Sequence, residues 1–407
     1  MTVSLQFRPQ LRGQILLPSS KSISNRVLAI NALAGGAYEM MRLAVCDDTD
    51  AMLRALRTPT GEVNIGAAGT AMRFATAFFA VTPGTHILTG SERMLQRPIR
   101  PLVETLRALG AHIDYLGQEG YPSLRIEGKV LEGGEAEIAA TISSQYISAL
   151  LMVAPMFQKG LQLRLVGELI SRPYVDLTLN LMRRFGAKAE WTDAQTLQIF
   201  PTGYQSSATF AVEADWSAAS YWYALMALTP DAEARVVLPY LEANSLQGDA
   251  KAQDFFAPLG VQTTFTDEGV VLTKGKRTPL ELYDLDLTEQ PDLAQTLVVV
   301  ATMLDQPFRF SGLQTLRIKE TDRIAALQAE TAKLGYLLHE PQAGTLTWQG
   351  ERQTAPKHPT IATYDDHRMA MAFAPAAYRF PGLQIAHPEV VTKSYPHFWE
   401  DITQLLG

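Results

Sequence analysis

An α/β (α+β) fold in two domains, each holding three copies of one repeated unit, is what this sequence predicts, and three observations carry the prediction. Four segments share a layout: "LRALGAHIDYLGQEGYPSLRIEG", "LMRRFGAKAEWTDAQTLQIFP", "FFAPLGVQTTFTDEGVVLTKG" and "TAKLGYLLHEPQAGTLTWQG". Each stops a helical pattern at a glycine and then alternates apolar and polar residues on both sides of a turn signal, as a hairpin does. The glycines are Gly110, Gly186, Gly260 and Gly335, at steps of 76, 74 and 75 residues. The second observation is a set of helices apolar on nearly every side, opened by small or polar residues. The third is length, since 407 residues exceed the size at which one hydrophobic core usually keeps growing.

The apolar helices are "SKSISNRVLAINALA", "GTAMRFATAFFAV", "SQYISALLMVAPM", "SAASYWYALMAL", "DLAQTLVVVATML" and "DHRMAMAFAPAAY". With Thr70, Gln145, Ser217, Asp292 and His367 as markers, they recur at 75, 72, 75 and 75 residues, whereas the first step from Ser22 is 48. A fixed period marks a repeated supersecondary unit. The unit reads buried helix, strand, amphipathic helix, hairpin, with the first copy abbreviated around "RTPTGEVNIG" and the last closing on "FWEDITQLLG". A helix apolar all round belongs inside a domain, so three would be buried in each, with their polar starts free to gather at one end.

Bulk properties narrow the function. A net charge of −7 argues against a general nucleic-acid or anionic-membrane binder, which needs a broad basic surface. The lone Cys46 excludes an intramolecular disulfide and a thiol-rich metal site, and it fits a reducing compartment. "MTVSLQFRPQ" shows neither a secretory nor an organellar targeting pattern, so a cytoplasmic location is expected. The apolar runs are shorter than the roughly 20 residues of a membrane helix and read as core.

The helix starts are chemically unusual. Lys21, Ser22 and Arg26 open the first, Gly69, Thr70 and Arg73 the second, and Ser143, Ser144 and Gln145 the third; Asp292 opens the fifth, and Asp366, His367 and Arg368 the sixth. Between and after them lie "RMLQRPI" with Arg97, "ISRPYVD" with Ser171, Arg172 and Tyr174, "RIKETDRI" with Lys319, Glu320 and Arg323, and "VTKSYPHF" with Lys393. Cations near a helix N-terminus repel the dipole, and a bound anion is the simplest compensation. Arginine grips carboxylate or phosphate bidentately, lysine adds a point charge, and hydroxyls with glycine N–H groups complete a cradle. Ser19, Ser20 or Ser22 is also placed to cap the helix behind it. "GAAGT" lacks the dinucleotide spacing and no P-loop string occurs, while "YDDHRMA" has no companion histidines at metal-binding spacing.

Together, "LPSSKSISNR", "GAAGTAMR", "SSQYISALLM", "SRPYVD", "PDLA", "RIKETDRI", "DDHRMAMAF" and "VTKSYPHFW" closely resemble, in order, the 5-enolpyruvylshikimate-3-phosphate synthase family. The resemblance covers nearly the whole chain. It implies the two-domain enolpyruvyl transferase fold, each domain with three βαβαββ units around buried parallel helices. The domains would be 18–212 and 1–17 with 213–407, joined by two crossings, with the active site in the cleft between them. The implied reaction moves the enolpyruvyl group of phosphoenolpyruvate onto the 5-hydroxyl of shikimate 3-phosphate and releases phosphate, on the route to chorismate and aromatic amino acids. Neither metal nor organic cofactor is implied, and the expected partners are these small molecules, without nucleic acid or membrane, on a monomer.

Carried over by resemblance, Ser143, Ser144 and Ser171 would hold the shikimate phosphate, with Gln145 and Tyr174 beside the ring, and Ser22 and Arg26 at its carboxylate and hydroxyls. Phosphoenolpyruvate would meet Lys21, Gly69, Arg97, Gln145, Arg323, Arg368 and Lys393, and Lys21 would also meet shikimate 3-phosphate. Asp292 with Lys319 would be the base at the 5-hydroxyl, and Glu320 the acid at C3, assisted by Lys21. Many members carry Asn where this chain has Ala67 and Pro where it has Phe74. That departure bears on phosphoenolpyruvate affinity and on the response to glyphosate, which competes for the same site. The sister transferase acting on UDP-N-acetylglucosamine is the nearest alternative, but it typically uses a cysteine acid on a mobile loop, a context that Cys46 in "AVCDDTD" lacks. A non-catalytic relative is the other alternative, and retention of Asp292, Glu320, Lys21 and Lys393 counts against it.

Overall fold

A computed structural model describes residues 1–141, 143–205 and 209–407. The chain divides into two compact units, Ser19–Val212 and Met1–Pro18 with Glu213–Gly407.

The six apolar segments all form helices: Lys21–Leu33, Gly69–Val81 and Ser144–Val153 in the first unit, and Trp216–Leu228, Ala294–Met303 and His367–Phe373 in the second. All ten residues of Ala294–Met303 and all seven of His367–Phe373 are buried, which explains why these stretches carry no polar face. In the second unit the core gathers around Trp216, Tyr221, Trp222 and Tyr223 on one helix, packed with Leu297, Val300, Met371 and Phe373 from the others.

Around these helices the strands follow one recurring order. Strand Gly61–Asn64 runs parallel to Gly84–Thr89, which pairs antiparallel with Leu124–Gly128, itself in a hairpin with His112–Tyr115. The same order recurs for Gly134–Ala139, Leu161–Val166, Thr196–Ile199 and Ala189–Trp191, and again for Tyr283–Asp286, Phe308–Ser311, Thr345–Trp348 and His339–Gln342. In each case the buried helix is the crossover that two parallel strands require.

The copies at the chain's crossings are completed by strands far away in sequence. Arg12–Gln14 runs parallel to Arg235–Leu238, and Thr2–Leu5 pairs with Leu383–Ala386. Thr209–Ala211 runs parallel to Glu39–Met41. The reading of "RTPTGEVNIG" as part of the first copy is corrected here. Its strand Gly61–Asn64 opens the second copy, and the first takes its partner strand from 209–211. Spacing along the chain cannot reveal a parallel partner supplied from the other end of a unit.

The four hairpin glycines sit at helix ends with φ of 100°, 85°, 89° and 89° for Gly110, Gly186, Gly260 and Gly335. At three of them the residue after the glycine donates its N–H five residues back: Ala111 to Leu106 at 2.9 Å, Ala187 to Met182 at 3.0 Å and Tyr336 to Thr331 at 3.0 Å. This arrangement satisfies carbonyls that the helix leaves open and turns the chain into the hairpin. A Cβ on Gly110 would meet nothing within 4 Å, so only its backbone conformation resists substitution. Gly110→Ala is therefore expected to destabilise the protein by about 1–2 kcal/mol in urea denaturation; an unchanged midpoint would show that the left-handed turn is not what selects glycine.

Candidate active site

Each unit carries its own constellation of the residues singled out above. In the Ser19–Val212 unit the helix starts are capped as polar residues allow: Ser20 Oγ accepts from the Ile23 N–H at 3.4 Å, and Ser143 Oγ from the Gln145 N–H at 3.3 Å. Lys21, the first residue of its helix, pairs with the buried Asp48 at 3.0 Å. Arg26 is turned inward. Its Nε donates to Thr178 Oγ1 at 2.7 Å, Nη1 to the Ser22 carbonyl at 2.9 Å and Nη2 to Ser148 Oγ at 3.2 Å. The guanidinium also lies 5.3 Å from the Phe74 ring centre and 5.7 Å from that of Tyr174. Burial lowers the Arg26 pKa to about 10, which leaves it charged at neutral pH within hydroxyls, carbonyls and rings.

Gly69 and Arg97 depend on each other. A Cβ at position 69 would lie 2.6 Å from Arg97 Nη1, so this glycine is required by close approach, not by backbone angle. Arg97 is buried, with Nε and Nη1 lacking hydrogen-bond partners among the described residues. Arg73 fastens this corner, donating to the Gly69 carbonyl at 3.0 Å and the Pro98 carbonyl at 3.2 Å. The third helix start joins it where Gln145 Nε2 donates to Thr70 Oγ1 at 3.2 Å and the Tyr146 hydroxyl donates to the Pro98 carbonyl. Ser144 is buried beside Gln145. Ser171 is also buried, at φ 58°, a left-handed conformation unusual for a residue with a side chain, and it begins the Arg172–Arg184 helix, with the Tyr174 N–H donating to its carbonyl at 3.0 Å.

The second unit builds its constellation on Arg323, which is 1% exposed. Its Nε donates to Asp366 Oδ2 at 2.7 Å, Nη1 to Asp292 Oδ1 at 3.1 Å and Nη2 to Glu320 Oε2 at 3.0 Å. One planar fork thus holds three carboxylates in fixed directions, which a lysine could not do. Arg368 grips the other side of Asp292, Nη2 to Oδ2 at 3.0 Å, and reaches Ser217 Oγ and the Tyr221 hydroxyl, each at 3.4 Å. Lys319 lies 3.7 Å from Asp292 Oδ1, and Lys393 lies 3.8 Å from Glu320 Oε1.

Burial alone would raise the Asp292 carboxyl, but Arg368, Lys319 and Arg323 outweigh it and hold Asp292 well below the usual carboxylate range. Lys319 is lowered from its ordinary value, chiefly by burial, with Asp292 opposing. Burial likewise works against the Arg323 charge, yet Asp366, Glu320 and Asp292 raise its pKa. The constellation therefore contains an ionised carboxylate, a lysine whose pKa is lowered by burial, and a second carboxyl group, Glu320, between two cations. Such a set can move protons at neighbouring atoms of a bound anion.

Asp48, Ser217 and Asp249 were not singled out as site residues by the sequence. Asp48 stands among three acids in "VCDDTD", which read as ordinary complements to a helix dipole. Ser217 is one small hydroxyl at the start of an apolar helix, and "QGDAK" with Asp249 matches no catalytic pattern. Among the described residues no group of three His, Cys, Asp or Glu is placed to hold a metal, and no helix is long and apolar enough to cross a membrane. Cys46 precedes the Asp47–Arg57 helix, is buried against Thr49 Oγ1 at 3.4 Å, and has its thiol pKa raised by burial. Those surroundings are those of an inert thiol.

Removing the Asp366 carboxylate would leave part of the Arg323 charge buried and uncompensated. Asp366→Asn is expected to destabilise the protein by about 3–5 kcal/mol in chemical denaturation, and a loss below about 1 kcal/mol would contradict a structural role for this pair. The depressed Asp292 contributes stability that is fully present above the ordinary carboxylate value of 3.8 and is lost only as pH falls through its lower folded value.

The family model described as EPSP synthase (3-phosphoshikimate 1-carboxyvinyltransferase) matches residues 58–402. A 3-phosphoshikimate 1-carboxyvinyltransferase of Bacteroides fragilis is 53% identical over 393 residues, covering 97% of this chain and 95% of its own length. One from Bordetella petrii is 38% identical over 426 residues, covering 96% and 94%. Among solved structures, an EPSP synthase from Acinetobacter baumannii superposes with a TM-score of 0.79 at 20% identity, covering 100% of this chain and 98% of that one. The enolpyruvyl transferase NikO from Streptomyces tendae gives 0.70 at 14% identity, covering 99% and 97%. These two establish the shared fold, and the sequence relatives establish more: the chain belongs to the EPSP synthase family.

Proposed function

We propose that this chain transfers the enolpyruvyl group of phosphoenolpyruvate to the 5-hydroxyl of shikimate 3-phosphate and releases phosphate, acting as a monomer in the cytoplasm. The observation that carries the reading is the Arg323 fork, which holds Asp292 and Glu320 in one constellation with Lys319, Arg368 and Lys393.

Asp292, with Lys319, takes the proton of the 5-hydroxyl as its oxygen bonds to C2 of phosphoenolpyruvate. Glu320, assisted by Lys21, gives a proton to C3. The resulting tetrahedral ketal phosphate then loses a proton from C3 as the C2–O bond to phosphate breaks, which restores the double bond and releases phosphate. Lys21, Gly69, Arg97, Gln145, Arg323, Arg368 and Lys393 meet phosphoenolpyruvate. Lys21, Ser22, Arg26, Ser143, Ser144, Gln145, Ser171 and Tyr174 meet shikimate 3-phosphate, alongside Asp292 and Lys319.

With Arg368 and Arg323 both on Asp292 the carboxylate is a weak base. An arriving phosphate or carboxylate draws those cations to itself, and Asp292 becomes more basic when its substrate is in place. The cations held by the protein's carboxylates are thus shared with ligand oxygens when substrate is in place, and the fork keeps Asp292 and Glu320 in position.

Phosphate release from phosphoenolpyruvate should require shikimate 3-phosphate; release only with UDP-N-acetylglucosamine would contradict the assignment. Glu320→Gln should lower kcat about 10²–10⁴-fold with substrate binding retained, and turnover near wild type would remove Glu320 from the acid role. Gly69→Ala must push Arg97 aside and should raise KM for phosphoenolpyruvate about tenfold or more. An unchanged KM would separate Arg97 from that ligand.

A further inference from the structure

Asp249 lies on the single turn Gly248–Lys251 and is 4% exposed. Its Oδ2 accepts from the Ser217 hydroxyl. The Ser217 oxygen accepts in turn from Arg368 Nη2 at 3.4 Å, and that same nitrogen holds Asp292 Oδ2 at 3.0 Å. One hydroxyl therefore separates Asp249 from the guanidinium that holds the base. Its other oxygen, Oδ1, has no hydrogen-bond partner among the described residues. An ionised carboxylate with an empty acceptor is costly at such burial, while a neutral carboxylic acid is much less so.

The groups facing Asp249 come from three packed elements. Trp216–Leu228 presents Ser217 and its cap Asp215, the Pro291–Leu293 turn presents Asp292, and His367–Phe373 presents Arg368. On its own segment, Lys251 pairs with Asp254 at the surface at 3.0 Å. Burial first, then repulsion from Asp292, pushes the Asp249 carboxyl up to about 7, with Arg368 and Ser217 opposing.

From this arrangement we propose that Asp249 is a positioning residue, which through Ser217 sets how much of the Arg368 guanidinium is available to the phosphoenolpyruvate anion. The proposal rests on the reading of Arg368 as a ligand of that substrate. Protonated, Asp249 leaves Arg368 to Asp292 and the ligand. Ionised, it places a further negative charge one hydroxyl away and draws the guanidinium toward Ser217. Asp249 itself makes no bond to substrate and exchanges its proton with solvent. Anion binding then takes up a proton, so KM for phosphoenolpyruvate rises as pH climbs through the Asp249 value, while kcat does not follow it.

The test measures KM and kcat for phosphoenolpyruvate, with saturating shikimate 3-phosphate, at about pH 6 and about pH 8, on either side of the Asp249 value. The wild-type ratio of KM at the two pH values should exceed that of Asp249→Asn by about threefold or more, with the kcat ratios alike. Titration of the substrate itself is common to both proteins and cancels in this comparison. Ser217→Ala cuts the link without touching the carboxylate, and it should flatten the KM ratio in the same direction. A purely structural Asp249 would change kcat or stability but leave the KM ratio at the wild-type value, and that result in either variant overturns the proposal. Wild-type protein without turnover on shikimate 3-phosphate would contradict the proposed function, and this proposal with it.

Discussion

The contact between Arg323 and its three carboxylates is the constraint on which the second unit's chemistry depends. A guanidinium 1% exposed has to be paired, and Asp366, Asp292 and Glu320 pair it from three separate segments of the chain. Each carboxylate is thereby fixed in direction by a rigid planar donor. Asp366 is also the cap of the His367–Phe373 helix, accepting the Arg368 N–H at 2.9 Å. The residue that aims Arg323 therefore also starts the helix that carries Arg368.

The same principle takes a different form in the Ser19–Val212 unit. Lys21 has a carboxylate partner in Asp48, but the described partners of Arg26 are neutral, and Arg97 keeps two nitrogens without any among the described residues. Buried cations of this kind carry a standing demand for an anion. One unit holds its charges against internal carboxylates, and the other leaves Arg26 and Arg97 among hydroxyls, carbonyls, rings and glycine. Both follow from the buried helices, whose apolar bodies confine their charged residues to the first two turns.

Much of this was legible in the sequence because the repeat is local. Helix, glycine and hairpin lie within one stretch of chain, and the positive φ of Gly110, Gly186, Gly260 and Gly335 is what the glycine spacing signalled. Strand partners were not legible where a unit closes on itself, as with Arg12–Gln14 beside Arg235–Leu238, because no spacing records a pairing across 200 residues. The site divides similarly. Lys21, Arg26, Asp292 and Arg323 stood out by charge at unusual places, whereas Asp48 and Asp249 looked like ordinary surface acids. Asp48 is buried against Lys21 and Asp249 one hydroxyl from Arg368, placements that belong to the folded unit alone.

The account's central claim is that the fork of Arg323, and not merely its charge, places Asp292 and Glu320 for proton transfer. Arg323→Lys keeps the charge and removes the fork, so phosphate release from phosphoenolpyruvate and shikimate 3-phosphate by the folded variant tests the claim directly. The account predicts a fall in kcat of about a hundredfold or more, since misplacement by about an ångström has that effect. Turnover near the wild-type rate would contradict it, showing that a point charge suffices and that the geometry around Arg323 does not govern the chemistry.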